Sequence, residues 1–138
     1  VLFRSPLNQV EDDAFSQEVL GKGIAIIPSE GKVYAPFDGT VITLFPTKHA
    51  IGIVSDNGCE VLIHIGMNTV QLNGKYFTSH VQQGDKVKKG QLLVEFDIDH
   101  ILQEGYNLET PVIITNTKDY SNINTNTNKD NVVLVAEA

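Results

Sequence analysis

Two histidines in this sequence have the residue type and the spacing needed for group-transfer chemistry. His64 lies within CEVLIHIGMNTV, residues 59–70, whose apolar residues predict a β-strand, and His49 precedes the predicted strand AIGIV at 50–54. A neutral imidazole is a nucleophile near neutral pH, and it can also donate a hydrogen bond to an anionic oxygen. The pair therefore predicts a site that accepts and releases a phosphoryl group, where positioning and charge stabilisation supply most of the catalysis.

Strand alternation indicates the face on which His64 lies. The odd-numbered residues from 59 to 65 are all apolar and share one face, which predicts the core, so His64 lies on the opposite face with Leu62. If the reversal SDNG makes Ser55 and Gly58 a facing pair, His49 and His64 stand directly opposite, with Cβ atoms about 5 Å apart. A two-residue Asn-Gly turn would make them diagonal neighbours, and a three-residue loop would send them to opposite faces.

A threonine completes the predicted site. Thr47 precedes His49 by two residues and is expected on the same strand face, where its hydroxyl can orient one ring. Burial and mutual repulsion would keep both rings uncharged and their lone pairs available. Arg4 is the sole arginine, so a phosphoryl group at this site would be held weakly and passed on easily.

Less specific interpretations compete with this one. A histidine in a strand is often a structural residue, and two histidines are half of a zinc site. The sequence contains no HxH, HExxH or CxxC motif, which disfavours an intrinsic zinc enzyme. His80 in FTSHV and His100 in DIDHI lack a comparable setting and are interpreted as ordinary surface or loop residues.

Turn-forming pairs and β-type runs predict an all-β fold. Of 138 residues, 11 are Gly and 5 are Pro, and pairs such as Asp38-Gly39 and Asn73-Gly74 separate short apolar runs, as in an antiparallel sandwich or barrel. The segment 97–105 has apolar residues at helical spacing and predicts a short helical turn. Residues 116–131 are rich in Asn and Thr, which predicts a mobile loop before a last strand in VVLV. The length fits a single domain over residues 1–138. Predicted strands occupy 23–28, 32–37, 40–45, 50–54, 60–65, 92–96 and 111–115.

Charge and cysteine content restrict the partners. The formal net charge of −7 and the pI near 4.9 argue against nucleic acid and anionic membrane surfaces, and they favour a basic protein partner. The single cysteine, Cys59, cannot form an intramolecular disulfide, which suits the cytosol. No apolar run approaches the roughly 20 residues that cross a bilayer, and no segment is similar to a cleavable leader.

The stretch GCEVLIHIGMNTV, residues 58–70, resembles the phosphorylation-site signature of glucose-type enzyme IIA domains of the bacterial phosphoenolpyruvate-dependent sugar phosphotransferase system. GKGIAIIPSEGKVYAPFDGTV (21–41), KHAIGI (48–53) and VQQGDKVKKGQLLVEFD (81–97) are also similar to that family, so the resemblance covers about residues 7–115. The segments PSEGKVYAPFDGT and TVQLNGKYFTSHV are especially similar to β-glucoside and related disaccharide permeases, in which this domain is fused to membrane-embedded parts.

The resemblance implies a fold and a reaction. The fold would be an antiparallel β-sandwich, or barrel-sandwich hybrid, with short helical turns. His64 would accept phosphate from phosphohistidine on the carrier protein HPr and pass it to a cysteine of the IIB domain. His49 would support the transfer without being phosphorylated itself, and Thr47 would supply the neighbouring hydroxyl.

The resemblance also implies a docking surface. Phe15 and Phe45 would surround the site, and Asp12 would be a rim acid that faces the basic surface of HPr. Asn68 stands where the family often has Asp, which removes one rim charge. Only VLFRSP precedes the matched region, so the family's first strand is expected to be shortened, rearranged or missing.

The resemblance leaves some alternatives open. No cofactor beyond the phosphohistidine intermediate is implied, although a zinc ion shared with a partner carboxylate is an alternative. The location would be cytoplasmic, either free or as the cytoplasmic domain of an inner-membrane permease fused to a IIC domain. A regulatory IIA-like domain, controlled by phosphorylation of His64 without onward transfer, would show the same motifs.

Overall fold

Short runs of apolar residues between turn-forming pairs produce strands that are antiparallel in each pairing described. The computed structural model describes residues 3–6, 22–116, 122–125 and 134–137. Its helical segments are a 3-10 helix, Thr69–Leu72, and α1, Ile98–Gln103. Its strands are β1 (Phe3–Pro6), β2 (Lys22–Ile27), β3 (Lys32–Tyr34), β4 (Gly39–Leu44), β5 (Ala50–Ser55), β6 (Glu60–His64), β7 (Phe77–Ser79), β8 (Lys86–Val87), β9 (Leu92–Phe96), β10 (Thr110–Ile114), β11 (Asn122–Thr125) and β12 (Leu134–Glu137).

Two sheets enclose the main core. The larger sheet has seven strands in the order β1-β2-β10-β6-β5-β4-β8, and the smaller has the order β3-β9-β7. Val41, Ile51 and Ile63 of the larger sheet belong to one buried cluster with Val94 and Phe96 of the smaller sheet. The molecule is therefore an antiparallel β-sandwich, which confirms the predicted fold class.

The strand that carries His64 lies inside the larger sheet. β6 pairs with β10 on one side and with β5 on the other. Val61 and Ile63 are buried, whereas Leu62 and His64 are half-buried, so side chains alternate between the core and the opposite face. This alternation confirms the predicted core face of β6.

Short strands lie near both ends of the described part of the chain. β1 is a four-residue strand that pairs with β2, with Phe3 opposite Ile27. The predicted loop at 116–131 contains β11, which pairs with β12. In NINT, Ile123 and Thr125 are β-branched and alternate with Asn, and the strand is short and half polar, so composition alone does not reveal it. Residues 117–121 and 126–133 lie outside the described part of the chain.

The short helix agrees with the prediction for 97–105. The Asp97 side chain accepts a hydrogen bond from the main-chain N–H of His100, which caps the amino end of α1. Among the described residues, neither helical segment has the length and apolar character needed to span a bilayer.

Candidate active site

His64 ends β6, and its half-buried ring lies on the face opposite the core residues of that strand. Nδ1 of the ring lies 2.8 Å from the carbonyl oxygen of Gly66. Because a carbonyl oxygen can only accept, Nδ1 carries the proton and donates it. The lone pair of the neutral ring is therefore on Nε2.

Gly66 holds its carbonyl in a crowded turn. Its φ is +78°, a conformation that strongly favours glycine. A Cβ at this position would lie 2.8 Å from Cγ2 of Thr69 and 2.9 Å from the carbonyl oxygen of Asn107. The main-chain N–H of Met67 donates to that same Asn107 oxygen at 2.8 Å. The turn therefore needs glycine for its conformation and also for its space.

His49 is the buried member of the pair, with 3% of its surface exposed. Its Nδ1 lies 2.6 Å from Oγ1 of Thr47, and its ring contacts Phe45 edge-on at a centroid distance of 5.3 Å. The predicted contact with Thr47 is present, but both residues lie in the turn before β5 rather than on one strand face. Burial, and secondly the neighbouring His64, lower the pKa of His49 from 6.5 to about 4. The ring is therefore neutral at pH 7.

The imidazole rings of His49 and His64 are in edge-on contact. Their ring centroids are 4.9 Å apart, and the rings are nearly perpendicular at 83°. The strand register behind this contact is not the one that makes the two histidines direct partners, however. Ala50 faces His64, and the main-chain N–H of Ser55 donates to the Cys59 carbonyl, so the reversal is the three-residue loop 56–58. Of the alternatives considered for SDNG, the three-residue loop is the one observed, and Ser55 does not face Gly58.

A three-residue loop is expected to place His49 and His64 on opposite faces, yet the rings are neighbours. The reason is that β5 begins at Ala50, so strand alternation does not extend to His49. Lys48 has a left-handed φ of 62°, and the chain bends at residues 48 and 49 before the strand starts. Ala50, directly opposite His64, has only a methyl side chain. The bend rather than the register brings the rings together.

Of the residues predicted to surround the site, Phe45 and Asn68 lie in the described part of the chain. Phe45 is 38% exposed and contacts His49, so it is an apolar group at the edge of the pair. Asn68 is exposed, has a left-handed φ of 60°, and precedes the 3-10 helix. Asp12 and Phe15 lie outside the described residues.

The other two histidines have partners away from this pair. Nε2 of His80 lies 3.2 Å from the Glu95 carboxylate, and Nδ1 of His100 lies 2.6 Å from the Asp97 carboxylate. Both rings are exposed, which fits their interpretation as surface residues. Within the described ranges, no three His, Cys, Asp or Glu side chains are grouped so that they could hold a metal ion.

One part of the site is not predicted from the sequence, namely the Gly66 carbonyl as the partner of His64. A main-chain carbonyl has no residue type of its own, so nothing in the sequence marks it directly. The available signal is Gly66 itself, because a glycine just after a strand favours a positive-φ turn, which can bring a carbonyl back toward a side chain two residues earlier.

A histidine pair on an antiparallel β-sandwich, with one nucleophilic nitrogen and one buried neutral neighbour, defines a class of domain suited to carrying a phosphoryl group. Residues 4–120 match the family described as phosphoenolpyruvate-dependent sugar phosphotransferase system, EIIA 1. The chain belongs to this family and is thus an EIIA phosphotransferase component.

Individual relatives agree with this assignment. The chain is 56% identical over 117 residues to the PTS system beta-glucoside-specific EIIBCA component of Halalkalibacterium halodurans, covering 85% of this chain and 18% of the relative. It is 54% identical over 114 residues to the PTS system glucose-specific EIICBA component of Staphylococcus saprophyticus, covering 83% of this chain and 17% of the relative. The chain thus spans less than one fifth of the length of these relatives.

A solved structure gives the same result. The glucose permease IIA from Mycoplasma capricolum matches with a TM-score of 0.83 and 36% sequence identity, covering 96% of this chain and 87% of that one. The fold that encloses the histidine pair is thus shared with this glucose permease IIA.

Proposed function

We propose that His64 is the phosphorylated residue of a phosphoryl carrier, which accepts the group from phosphohistidine on HPr and passes it to a cysteine of a IIB domain. The observation that carries the proposal is the ring pair itself: the centroids are 4.9 Å apart, and the Gly66 carbonyl engages Nδ1 of His64, which leaves the lone pair on Nε2. Membership of the EIIA family supports the same reaction.

The transfer step follows from this tautomer. As the phosphorus–nitrogen bond to the HPr histidine breaks, Nε2 of His64 forms the new bond with its lone pair, and the leaving imidazole regains its own pair. The His64 ring gains positive charge as it attacks. Because Nδ1–H donates to the Gly66 carbonyl at 2.8 Å, that oxygen stabilises the developing charge without any proton transfer.

His49 acts as a hydrogen-bond donor in this proposal. In this proposal the Thr47 hydroxyl, 2.6 Å from Nδ1 of His49, donates to that nitrogen, so that the ring proton is on Nε2. That N–H can then donate to a phosphoryl oxygen on the neighbouring His64 ring. Since the pKa of His49 is lowered to about 4, the ring stays neutral and does not bind the phosphoryl group as strongly as a cation would.

The partners are proposed on charge, exposure and family. A net charge of −7 suits the basic surface of HPr, and Phe45 supplies an exposed aromatic ring beside His49. Asn68, together with Asp12 and Phe15, would complete the docking rim. The named relatives are EIIBCA and EIICBA components, which supports fusion to IIB and membrane-embedded IIC parts and a position on the cytoplasmic side.

Salt dependence tests the docking interaction. If the acidic domain attracts HPr electrostatically, the affinity of unphosphorylated HPr for this domain decreases severalfold as salt is raised. Titration calorimetry at low and high salt measures this. An affinity that does not change would contradict electrostatic docking.

Phosphorylation in a reconstituted system tests the reaction. With phosphoenolpyruvate, enzyme I and HPr, the wild-type domain should gain one acid-labile phosphoryl group, and His64→Ala should abolish it. His49→Ala should still load but fail to transfer to a IIB domain. His80→Ala and His100→Ala are matched controls that should behave as wild type. Labelling of His64→Ala would contradict the proposal, and loading of the wild type without transfer to IIB would favour a regulatory domain.

A further inference from the structure

Thr69 is a fully buried polar residue close to the candidate site, with no exposed surface. It is the first residue of the 3-10 helix, and its hydroxyl donates to the main-chain carbonyl of Ile65. Ile65 and Thr69 therefore bracket the turn that contains Gly66. The main-chain N–H of Ile65 also donates to the His49 carbonyl at 2.7 Å, which ties this turn to the second histidine.

The methyl group of Thr69 limits the space around Gly66. Cγ2 of Thr69 would lie 2.8 Å from a Cβ on Gly66, and on another side the Asn107 carbonyl oxygen would lie at 2.9 Å and Cδ2 of Leu108 at 3.3 Å. Gly66 is thus enclosed by the threonine and by the segment 107–108. Packing of this kind leaves no room for a side chain at position 66.

We propose that Thr69 is a positioning residue for phosphoryl transfer. Its hydrogen bond to the Ile65 carbonyl holds the 65–69 turn, so that the Gly66 carbonyl remains hydrogen-bonded to Nδ1–H of His64. The inference rests on the proposed function of His64 as the phosphoryl acceptor. The Gly66 contact keeps the ring proton on Nδ1 and the lone pair on Nε2. Thr69 thereby selects the reactive tautomer without touching the phosphoryl group.

Valine is the informative replacement for Thr69. It has nearly the same shape, so it preserves the contact with Gly66, but it cannot donate to the Ile65 carbonyl. We expect the turn to relax in Thr69→Val, so that the hydrogen bond from Nδ1–H of His64 to the Gly66 carbonyl is weakened or lost. The ring would then exchange between its two neutral tautomers, and the fraction with the lone pair on Nε2 would decrease.

Nitrogen NMR of ¹⁵N-labelled, unphosphorylated protein measures this tautomer directly. In wild type, Nδ1 of His64 should have a protonated, pyrrole-type shift and Nε2 an unprotonated, pyridine-type shift. In Thr69→Val both shifts should move toward an average, and Thr69→Ser, which keeps the hydroxyl, should restore them. The nitrogen shifts of His49 serve as an internal reference and should not change, because its Nδ1 contacts Thr47, outside the 65–69 turn.

A second buried threonine supplies the matched control variant. Thr110 is 7% exposed, and its hydroxyl donates to the Leu108 carbonyl at 3.0 Å, outside the 65–69 turn. Thr110→Val loses a similar hydrogen bond next to the segment 107–108, on the other side of Gly66, so it measures the effect of removing a buried hydroxyl near Gly66 while the bond to Ile65 is kept. We expect the His64 nitrogen shifts to remain as in wild type.

The rate of phosphoryl transfer from HPr gives the functional measurement. Thr69→Val should lower the maximal rate by about 10- to 100-fold, with little change in the HPr concentration for half-maximal rate, because positioning is lost while docking is kept. Thr69→Ser and Thr110→Val should retain rates close to wild type.

Specific results would overturn the inference. Folded Thr69→Val protein with wild-type nitrogen shifts and rate would do so. If Thr69→Val does not fold, wild type still tests the inference, since a His64 ring protonated on Nε2 rather than Nδ1 would contradict it. If wild type is not phosphorylated on His64, the proposed function fails, whereas the effect of Thr69 on the tautomer is judged separately from the NMR comparison.

Discussion

The two ends of the β5–β6 hairpin both depend on a glycine with positive φ, but they differ in their surroundings. At the reversal, Gly58 has a φ of +92°, and a Cβ there would have no atom within 4 Å. At the site end, Gly66 has a φ of +78° and would place a Cβ against Thr69, Asn107 and Leu108. One glycine supplies only a backbone conformation, and the other also supplies space.

The difference shows where the hairpin is constrained. The reversal can absorb a side chain into solvent, whereas the site end is enclosed by the 3-10 helix and by the segment 107–108. A phosphoryl acceptor must present one nitrogen in a fixed direction, and a rigid surrounding shell achieves this more reliably than a mobile loop. The crowded end of the hairpin is therefore the part suited to catalysis.

Alanine substitutions at the two glycines should give the largest difference in stability. Gly58→Ala should lower the free energy of unfolding by about 1 kcal/mol, because alanine must adopt a left-handed conformation. Gly66→Ala adds steric overlap to this cost and should lower it by about 3 kcal/mol. Urea unfolding of both variants measures the comparison, and equal losses would show that the site end is not more tightly packed.

Acid should destabilise the site end through His49. Because the pKa of His49 is about 4 in the folded protein and 6.5 when unperturbed, the unfolded chain binds a proton there between these values and the folded protein does not. Stability is therefore fully present above pH 6.5 and decreases as the pH falls toward 4.

The size of this pH effect can be measured with a variant. Between pH 7 and pH 5, wild type should lose about 2 kcal/mol more unfolding free energy than His49→Gln. Between pH 8 and pH 7 the two proteins should change almost equally, which serves as the control. A His49→Gln variant with the wild-type pH dependence would show that the buried ring is not held neutral by its surroundings.

An aromatic substitution should give the smallest effect. Phe45→Ala should weaken HPr binding by about 1 kcal/mol, because the exposed ring beside His49 would contact the partner. Tyr34→Ala is the matched control, since Tyr34 is a comparably exposed aromatic, at 45% against 38%, and lies on the smaller sheet. If both variants bind HPr equally, the docking surface does not include Phe45.

The sequence predicts much of this molecule because local patterns determine it. Alternating apolar residues indicate the core face of β6. The predicted hydroxyl beside His49 is also found, although the two residues lie in a turn and not on the strand face from which it was predicted. The sequence leaves the loop register open, since several turn lengths suit SDNG equally well. The contact between the histidines depends on a bend at Lys48, and β11 is a short, half-polar strand that depends on its pairing with β12. Neither feature is visible in local sequence.

The position of the phosphoryl group on the ring tests the central claim most directly. After loading from phosphoenolpyruvate, enzyme I and HPr, phosphorus and nitrogen NMR together should place a single phosphoryl group on Nε2 of His64, with Nδ1 still protonated toward the Gly66 carbonyl. A phosphoryl group on Nδ1 of His64, or on any other histidine, would contradict the account.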